Sequence, residues 1–148
     1  MTQPTIEDAV ALAARAHRRQ TDKAGKPYIL HPLRVMLSLP DETARIVAML
    51  HDVLEDTTVT VADLREAGYS EEILTALDAL TRRSSESYEE FIDRAGEIPL
   101  ARRVKLADIA DNLDESRLEQ IREADLKRFA RYKAARQKLL SIEQGTAP

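Results

Sequence analysis

The residues best suited to chemistry lie in one short segment, where His51-Asp52 is followed by Glu55-Asp56. The first pair interrupts the most apolar run of the chain, residues 44–54, which predicts a buried helix. Helical i,i+4 spacing places Glu55 above His51 and Asp56 above Asp52, so four polar groups share one side of its last turns. A solvated helix end would explain Glu55 and Asp56 but not a His-Asp pair among apolar residues.

Three carboxylates at this point face the negative end of the helix dipole and lose part of their hydration. Both effects oppose the arrangement unless a cation compensates for them. A metal ion is the natural cation, because histidine and aspartate supply nitrogen and oxygen ligands together. The segment therefore predicts a metal site.

Two ligands rarely suffice for a metal, and two other positions are candidates. His31 lies at a loop-to-helix junction just before Pro32, where it could alternatively cap or pack the helix. Asp108 is an acid at the end of an apolar stretch within a predicted helix, and Asn112 follows on its face at i+4. The third histidine, His17, lies among Ala, Arg and Gln in the first helix and is interpreted as structural.

The elements that must position these residues are helices. The 148 residues are 43% hydrophobic and only 4% aromatic, with Ala and Leu dominating, which favours helices over strands. Helices are expected to start at Thr5, Pro32, Asp41, Thr60, Ser70, Ser87 and Pro99, with a last one over 125–142. The helix starting at Asp41 is expected to continue to about Asp56, and the one starting at Pro99 to about Ser116. The sequence predicts a single all-α domain, residues 1–148, of seven to eight helices.

Composition excludes several classes of function. The net charge is −4, with both signs spread along the chain, so extensive nucleic-acid binding is not expected. There is no cysteine, which excludes thiolate metal sites, and no apolar run reaches the ~20 residues of a membrane span. A soluble cytoplasmic protein of unknown oligomeric state is expected. The basic residues of 126–140 are interpreted as a solvated helix face, although a surface for an anionic partner is the alternative.

Four ordered segments resemble the HD-domain metal-dependent phosphohydrolases, and more narrowly the hydrolase domain of RelA/SpoT-type enzymes and small alarmone hydrolases. The similarity covers roughly residues 5–118. The segments are Ala16-His17 with Gln20, residues 25–33 (GKPYILHPL), residues 50–57 (LHDVLEDT), and residues 104–108 (VKLAD) with Asn112.

The resemblance implies an all-α fold that holds one divalent ion, usually manganese. By position its ligands are His31, His51, Asp52 and Asp108. Glu55 and Asp56 match the acidic pair that activates and positions the attacking water, and Lys23, Tyr28 and Asn112 match substrate-pocket positions. Such an ion lowers the pKa of bound water, and a nearby carboxylate can accept the proton. An alternative role for the acidic pair is to tune the surroundings of the metal.

The sequence departs from the family pattern around the base. The Arg-Lys pair that sandwiches guanine in the alarmone hydrolases reads Asp22-Lys23 here, the usual Arg after the metal-binding Asp is Ile109, and the aromatic or His before Asn112 is Asp111. Asp111 and Asp114 flank Asn112, and either could be a plain surface acid.

We therefore expect a metal-dependent nucleotide phosphohydrolase whose leading activity is removal of the 3′-pyrophosphate of a (p)ppGpp-like alarmone. The alternatives are (p)ppApp or a 5′-nucleotide as substrate, or a sensor that binds a nucleotide without turnover.

Overall fold

The structure is a computed structural model that describes residues 2–145, and over that range it is helical. The only β feature in it is an isolated antiparallel bridge between Thr21 and Pro27. The expected all-α class is confirmed. The helices are α1 (Ile6–Ala16), α2 (Leu30–Leu37), α3 (Glu42–Leu50), α4 (Val53–Asp56), α5 (Val61–Glu66), α6 (Glu71–Ala79), α7 (Tyr88–Gly96), α8 (Pro99–Asn112) and α9 (Glu123–Glu143), with a 3₁₀ turn at Glu115–Arg117.

Local capping sets most helix starts. The side chains of Thr5, Asp41, Thr60, Ser70 and Ser87 each accept a hydrogen bond from a backbone N–H in the first turn of the helix that follows. These positions were predicted from the sequence, and they are confirmed. The helix that starts at Pro99 ends at Asn112 rather than near Ser116, because the Asp114 side chain accepts the Ser116 N–H and starts the separate 3₁₀ turn.

The apolar helix α3 lies at the centre of the fold. Residues 46–50 and Ala44 are buried, and α3 packs against α1, α2, α6 and α8. A second, smaller core joins α7, α8 and α9 around Phe91, Ile109 and Leu139. Because α2, α3 and α8 all pack on one another, the ends of these three helices can bring distant residues to one place.

A search of residues 2–145 finds no helix that combines the length and the apolarity needed to cross a membrane.

Candidate metal centre and substrate cavity

The four residues predicted as metal ligands meet at one point. His31 comes from the first turn of α2, His51 and Asp52 from the turn between α3 and α4, and Asp108 from α8. Asp108 Oδ1 lies 2.9 Å from His31 Nε2 and 3.4 Å from His51 Nε2. Asp52 Oδ2 lies 3.0 Å from His51 Nε2 and 4.0 Å from His31 Nε2. Residues far apart in sequence thus present two imidazole nitrogens and two carboxylate oxygens to a shared space.

The expectation of one helix running through His51-Asp52 to Asp56 is wrong. Helix α3 ends at Leu50, and His51 N bonds to the carbonyl of Ala48, three residues back, rather than four. Asp52 has φ −105° and ψ 0°, outside regular helix, before α4 begins at Val53. In an unbroken helix neighbouring side chains point about 100° apart. Here the helix breaks at His51-Asp52, and these two adjacent side chains reach the same site.

The two histidines are oriented by bonds to their Nδ1 atoms. His31 Nδ1 lies 2.7 Å from Asp111 Oδ2, and His51 Nδ1 lies 2.5 Å from the Ala48 carbonyl oxygen. With Nδ1–H donating to these oxygens, each ring presents an Nε2 lone pair to the centre, as in metal-bound histidines.

Asp111 is therefore not the plain surface acid that the sequence left possible. Arg34 donates to both of its carboxylate oxygens, at 2.8 and 3.1 Å, and Arg117 lies 3.4 Å away. Burial alone would raise the pKa of Asp111, but the bonds from His31 and Arg34 lower it to about 2. Sequence reasoning missed this role, although the i+3 spacing from Asp108 on the same helix was the available signal.

Two further side chains hold Asp108. Lys105 Nζ donates to Oδ2 at 2.8 Å, and Asn112 Nδ2 donates to Oδ1 at 3.0 Å. Burial of Asp108 would raise its pKa, but the charges of Lys105 and His51 outweigh it and keep the pKa well below the usual range. Lys105 was not singled out from the sequence. Asn112, expected in the substrate pocket, lines the cavity and also donates one N–H to Asp108.

Glu55 and Asp56 lie beside Asp52, and the three residues bring carboxylate oxygens within 4.8 Å of one another. Burial, and then repulsion by neighbouring acids including Asp52, raises the pKa of both Glu55 and Asp56. Glu55 Oε1 accepts the backbone N–H of Arg82 at 3.1 Å. The acidic pair is thus exposed at the edge of the centre while Asp52 lies deeper.

Tyr28 packs against Asp52, and His17 packs against Tyr28. The Tyr28 hydroxyl donates to Asp52 Oδ2, and burial together with the Asp52 charge raises the pKa of the phenol. His17 is 2% exposed, its ring centroid lies 5.0 Å from that of Tyr28, and its Nδ1 lies 2.9 Å from Gln20 Oε1. Gln20 Nε2 in turn donates to the Asp56 carbonyl at 3.1 Å.

One cavity of about 530 Å³ opens over the centre. All three residues expected in the substrate pocket, Lys23, Tyr28 and Asn112, line it. Three of the predicted ligands and the acidic pair line it as well: His31, Asp52, Asp108, Glu55 and Asp56. Its cationic lining residues are Lys23, Arg34, Arg82, Lys105, Arg117, Arg128 and Arg131.

The interpretation of 126–140 as only a solvated face is wrong for part of α9. Arg128, Phe129, Arg131 and Tyr132 line the cavity, because α9 packs across α7 and α8. The remainder fits the expectation: Lys138, for example, pairs with Asp93 on the outside of α7.

Asp22 also lines the cavity, but its carboxylate is engaged in its own loop. Asp22 Oδ1 accepts the backbone N–H groups of Ala24 and Lys26, each at 2.9 Å. Gly25 in the same loop has φ 77°, a conformation in which glycine avoids the strain of a side chain. Asp22 thus shapes the loop that carries Lys23.

The donor set fits a divalent cation. Of the side chains in the described part of the chain, His51 Nε2 is one of three with a buried nitrogen or oxygen that makes no hydrogen bond, although two carboxylate oxygens lie within 3.4 Å of it. Buried polar atoms are normally paired, and a metal ion would satisfy this nitrogen together with both carboxylates. His31, His51 and Asp52 place their ligand atoms within 4.8 Å of one another.

The family model of the HD domain matches residues 9–140, so the chain belongs to the HD-domain family. Membership implies a bound divalent metal, and the His/Asp cluster is where this chain can hold it.

Two relatives of this chain are enzymes named for reactions of guanosine nucleotides. The chain is 33% identical over 120 residues to the guanosine-3′,5′-bis(diphosphate) 3′-pyrophosphohydrolase of Aquifex aeolicus, covering 73% of this chain and 17% of that one. It is 31% identical over 147 residues to the GTP pyrophosphokinase of Streptomyces coelicolor, covering 90% and 16% respectively. The chain thus spans less than a fifth of the length of either relative.

A solved structure shares the fold. It belongs to a metazoan ortholog of SpoT, described as hydrolysing ppGpp and as having a role in starvation responses. The TM-score is 0.74 at 24% identity, over 99% of this chain and 100% of that one.

Proposed function

We propose that this chain is a phosphohydrolase that removes the 3′-pyrophosphate of a (p)ppGpp-like alarmone, with one Mn²⁺ held by His31, His51, Asp52 and Asp108. We also propose that the protein acts in the cytoplasm, which holds nucleotide pools. The proposed activity is supported by relatives named as a guanosine-3′,5′-bis(diphosphate) 3′-pyrophosphohydrolase and a GTP pyrophosphokinase.

Hydrolysis is favoured over binding alone by the position of Glu55 and Asp56. They lie beside the cluster formed by the four predicted ligands, His31, His51, Asp52 and Asp108, which is called the ligand cluster below. Glu55 and Asp56 bring carboxylate oxygens within 4.8 Å of Asp52 and face the cavity. A nucleotide-binding sensor would have no use for carboxylates here, since they repel phosphate groups. For hydrolysis they are needed, because a water must lose its proton as it attacks.

The reaction requires water to attack the phosphorus bound to the 3′ oxygen. The new P–O bond forms, the bond from phosphorus to the 3′ oxygen breaks, and the 3′ oxygen takes up a proton. Glu55 or Asp56 accepts the proton of the attacking water, and Lys105 and Asn112 hold Asp108 in place. When bound, a divalent ion supplies Lewis-acid chemistry: it lowers the pKa of a bound water and neutralises charge on phosphorus.

The cavity also fits a polyanionic nucleotide better than a neutral substrate. It is lined by seven cationic side chains as well as by the acids of the centre. Four of these cations pair with carboxylates, as Arg34 does with Asp111 and Lys105 with Asp108. Within residues 2–145 the other three, Lys23, Arg82 and Arg131, form no ion pair with a carboxylate and can meet phosphate groups.

The test is release of pyrophosphate with added Mn²⁺ from ppGpp, its adenosine counterpart and ordinary 5′-nucleotides. We expect release from the 3′-pyrophosphorylated nucleotides and none from ATP or GTP. Glu55→Gln and Asp56→Asn keep the shape but remove the proton-accepting charge, so one or both should cut turnover by about 10²–10⁴-fold. The nucleotide-binding alternative would be supported by tight ppGpp binding without any release. Release from ATP and GTP alone would reassign the substrate to a 5′-nucleotide.

A further inference from the structure

Two arginines of the cavity lie against one aromatic ring. Tyr88, at the start of α7, has the Arg131 guanidinium carbon 4.7 Å from its ring centroid and the Arg82 guanidinium carbon 6.0 Å from it. All three residues line the cavity. The Tyr88 ring is therefore a platform that orders two guanidinium groups by cation–π contact.

These two guanidinium groups differ from most cations of the cavity in having no carboxylate partner. Within residues 2–145, the Arg131 side chain makes no hydrogen bond or ion pair, and the Arg82 guanidinium donates only to the Glu86 backbone carbonyl. The Arg82 backbone N–H donates to Glu55 Oε1. Arg128, three residues before Arg131 on α9, is already paired with Asp125. The positive charge beside Tyr88 is thus available to a ligand.

Two side chains, Lys105 and Phe91, connect the ligand cluster to the Tyr88 platform. Lys105 Nζ bonds to Asp108 and lies 5.1 Å from the Phe91 ring centroid. The Phe91 centroid lies 6.1 Å from that of Tyr88, on whose ring Arg131 stacks. Arg131 is linked to Asp108 only through these intervening contacts, so it can meet a phosphate other than the one at the ligand cluster.

From this arrangement we infer that Arg131 and Arg82, stacked on Tyr88, form a second anion site that binds the 5′-phosphates of the nucleotide while its 3′-pyrophosphate lies at the ligand cluster. A guanidinium that stacks through its face keeps its N–H edge free to fork onto phosphate oxygens. The inference rests on the proposed function for the identity of the substrate. It adds that the site selects nucleotides phosphorylated at both ends.

The first test needs no turnover. Guanosine 5′-diphosphate is titrated calorimetrically into wild type, Arg131→Gln and the control Arg136→Gln, which removes the same charge from an exposed position of α9 outside the cavity. We expect Arg131→Gln to weaken binding by about tenfold, as for loss of one charge-assisted hydrogen bond, and Arg136→Gln to leave it unchanged. Equal affinities in all three proteins would overturn the inference, whether or not the protein is a hydrolase.

The second test uses turnover. Arg131→Gln should raise KM for guanosine 3′,5′-bis(diphosphate) by about tenfold and leave KM for guanosine 3′-diphosphate, which lacks 5′-phosphates, unchanged. An equal rise for both substrates, or a changed preference between guanine and adenine instead, would show that Arg131 does not read the 5′-phosphates. If wild type cleaves neither nucleotide, the proposed function fails, and the calorimetric result still decides the anion site.

Discussion

Asp111 and His31 form a hydrogen bond of 2.7 Å between a carboxylate oxygen and ring Nδ1, across 80 residues of sequence. Arg34 holds the same carboxylate with two hydrogen bonds. The pair fixes the plane of the His31 ring, so Nε2 points at Asp108 Oδ1. Metal-binding histidines depend on such partners for both orientation and basicity.

Asp111→Ala should therefore weaken Mn²⁺ binding by about 10–100-fold without removing a ligand. The measurement is a calorimetric titration of metal-free protein with Mn²⁺. Asp114→Ala is the matched control, because Asp114 pairs with Arg117 on the same surface but has no contact with His31. Equal Mn²⁺ affinities for the two variants would mean that Asp111 is only part of a surface ion-pair network.

Gln20 links the end of α1 to the end of α4, since it bonds to His17 and to the Asp56 carbonyl. Gln20→Ala removes both bonds, so Asp56 should be less well placed and kcat should fall by roughly ten- to a hundredfold. Mn²⁺ affinity should be unchanged, because Gln20 makes no hydrogen bond to any of the four ligand side chains. Steady-state kinetics beside Mn²⁺ titration, with Gln137→Ala as a surface control, checks this. A loss of metal binding in parallel with kcat would contradict it.

Asp22 shapes the loop that carries Lys23 by accepting backbone hydrogen bonds within it. Two substitutions of Asp22 should therefore have different effects. Asp22→Asn keeps an oxygen that can accept the Ala24 and Lys26 N–H groups while it removes a negative charge from the cavity. Asp22→Ala loses the acceptor. We expect KM for ppGpp to fall slightly in Asp22→Asn and to rise severalfold in Asp22→Ala. The same direction of change in both variants would show that the charge of Asp22 matters and its loop contacts do not.

Glu86 gives a pH-dependent contribution to stability away from the metal centre. Its carboxylate receives two 2.7 Å hydrogen bonds from Arg94, and these bonds, with one from the Arg83 backbone, lower its pKa to about 2. An unpaired glutamate titrates near pH ~4.3. A lowered pKa in the folded state means that the stabilisation is present above about pH 4.3 and is lost as pH falls towards 2.

Thermal unfolding should therefore show Glu86→Gln with a lower Tm than wild type at pH 6, and the gap should close between about pH 4.3 and 2. Glu71→Gln is the control. This substitution breaks a similar ion pair with Arg65. Because the Arg65 and Glu71 side chains are 55% and 71% exposed, the loss of Tm should be smaller. A gap for Glu86→Gln that does not vary with pH would assign the effect to packing.

The sequence predicted those features that depend on neighbours along the chain. Caps such as Thr60 and Ser87 bond to residues three positions away, so their role is visible in the local pattern. The break at His51-Asp52 could not be predicted in this way, because the apolar pattern of the sequence continues through it. The bond of Asp111 to His31 and the lining of the cavity by Arg131 appear only in the fold. His31, His51, Asp52 and Asp108 were found through their residue types and their resemblance to a family.

The central claim of the proposed function is that pyrophosphate is released at the His/Asp cluster only when a metal ion is bound there. The direct measurement is identification of products from ppGpp with metal-stripped protein, before and after one equivalent of Mn²⁺, in wild type and His51→Ala. The account predicts no turnover in stripped wild type, release of pyrophosphate and guanosine 5′-diphosphate once Mn²⁺ is restored, and neither activity nor tight Mn²⁺ binding in His51→Ala. Equal turnover with and without metal, or Mn²⁺-restored activity in His51→Ala at the wild-type level, would contradict it.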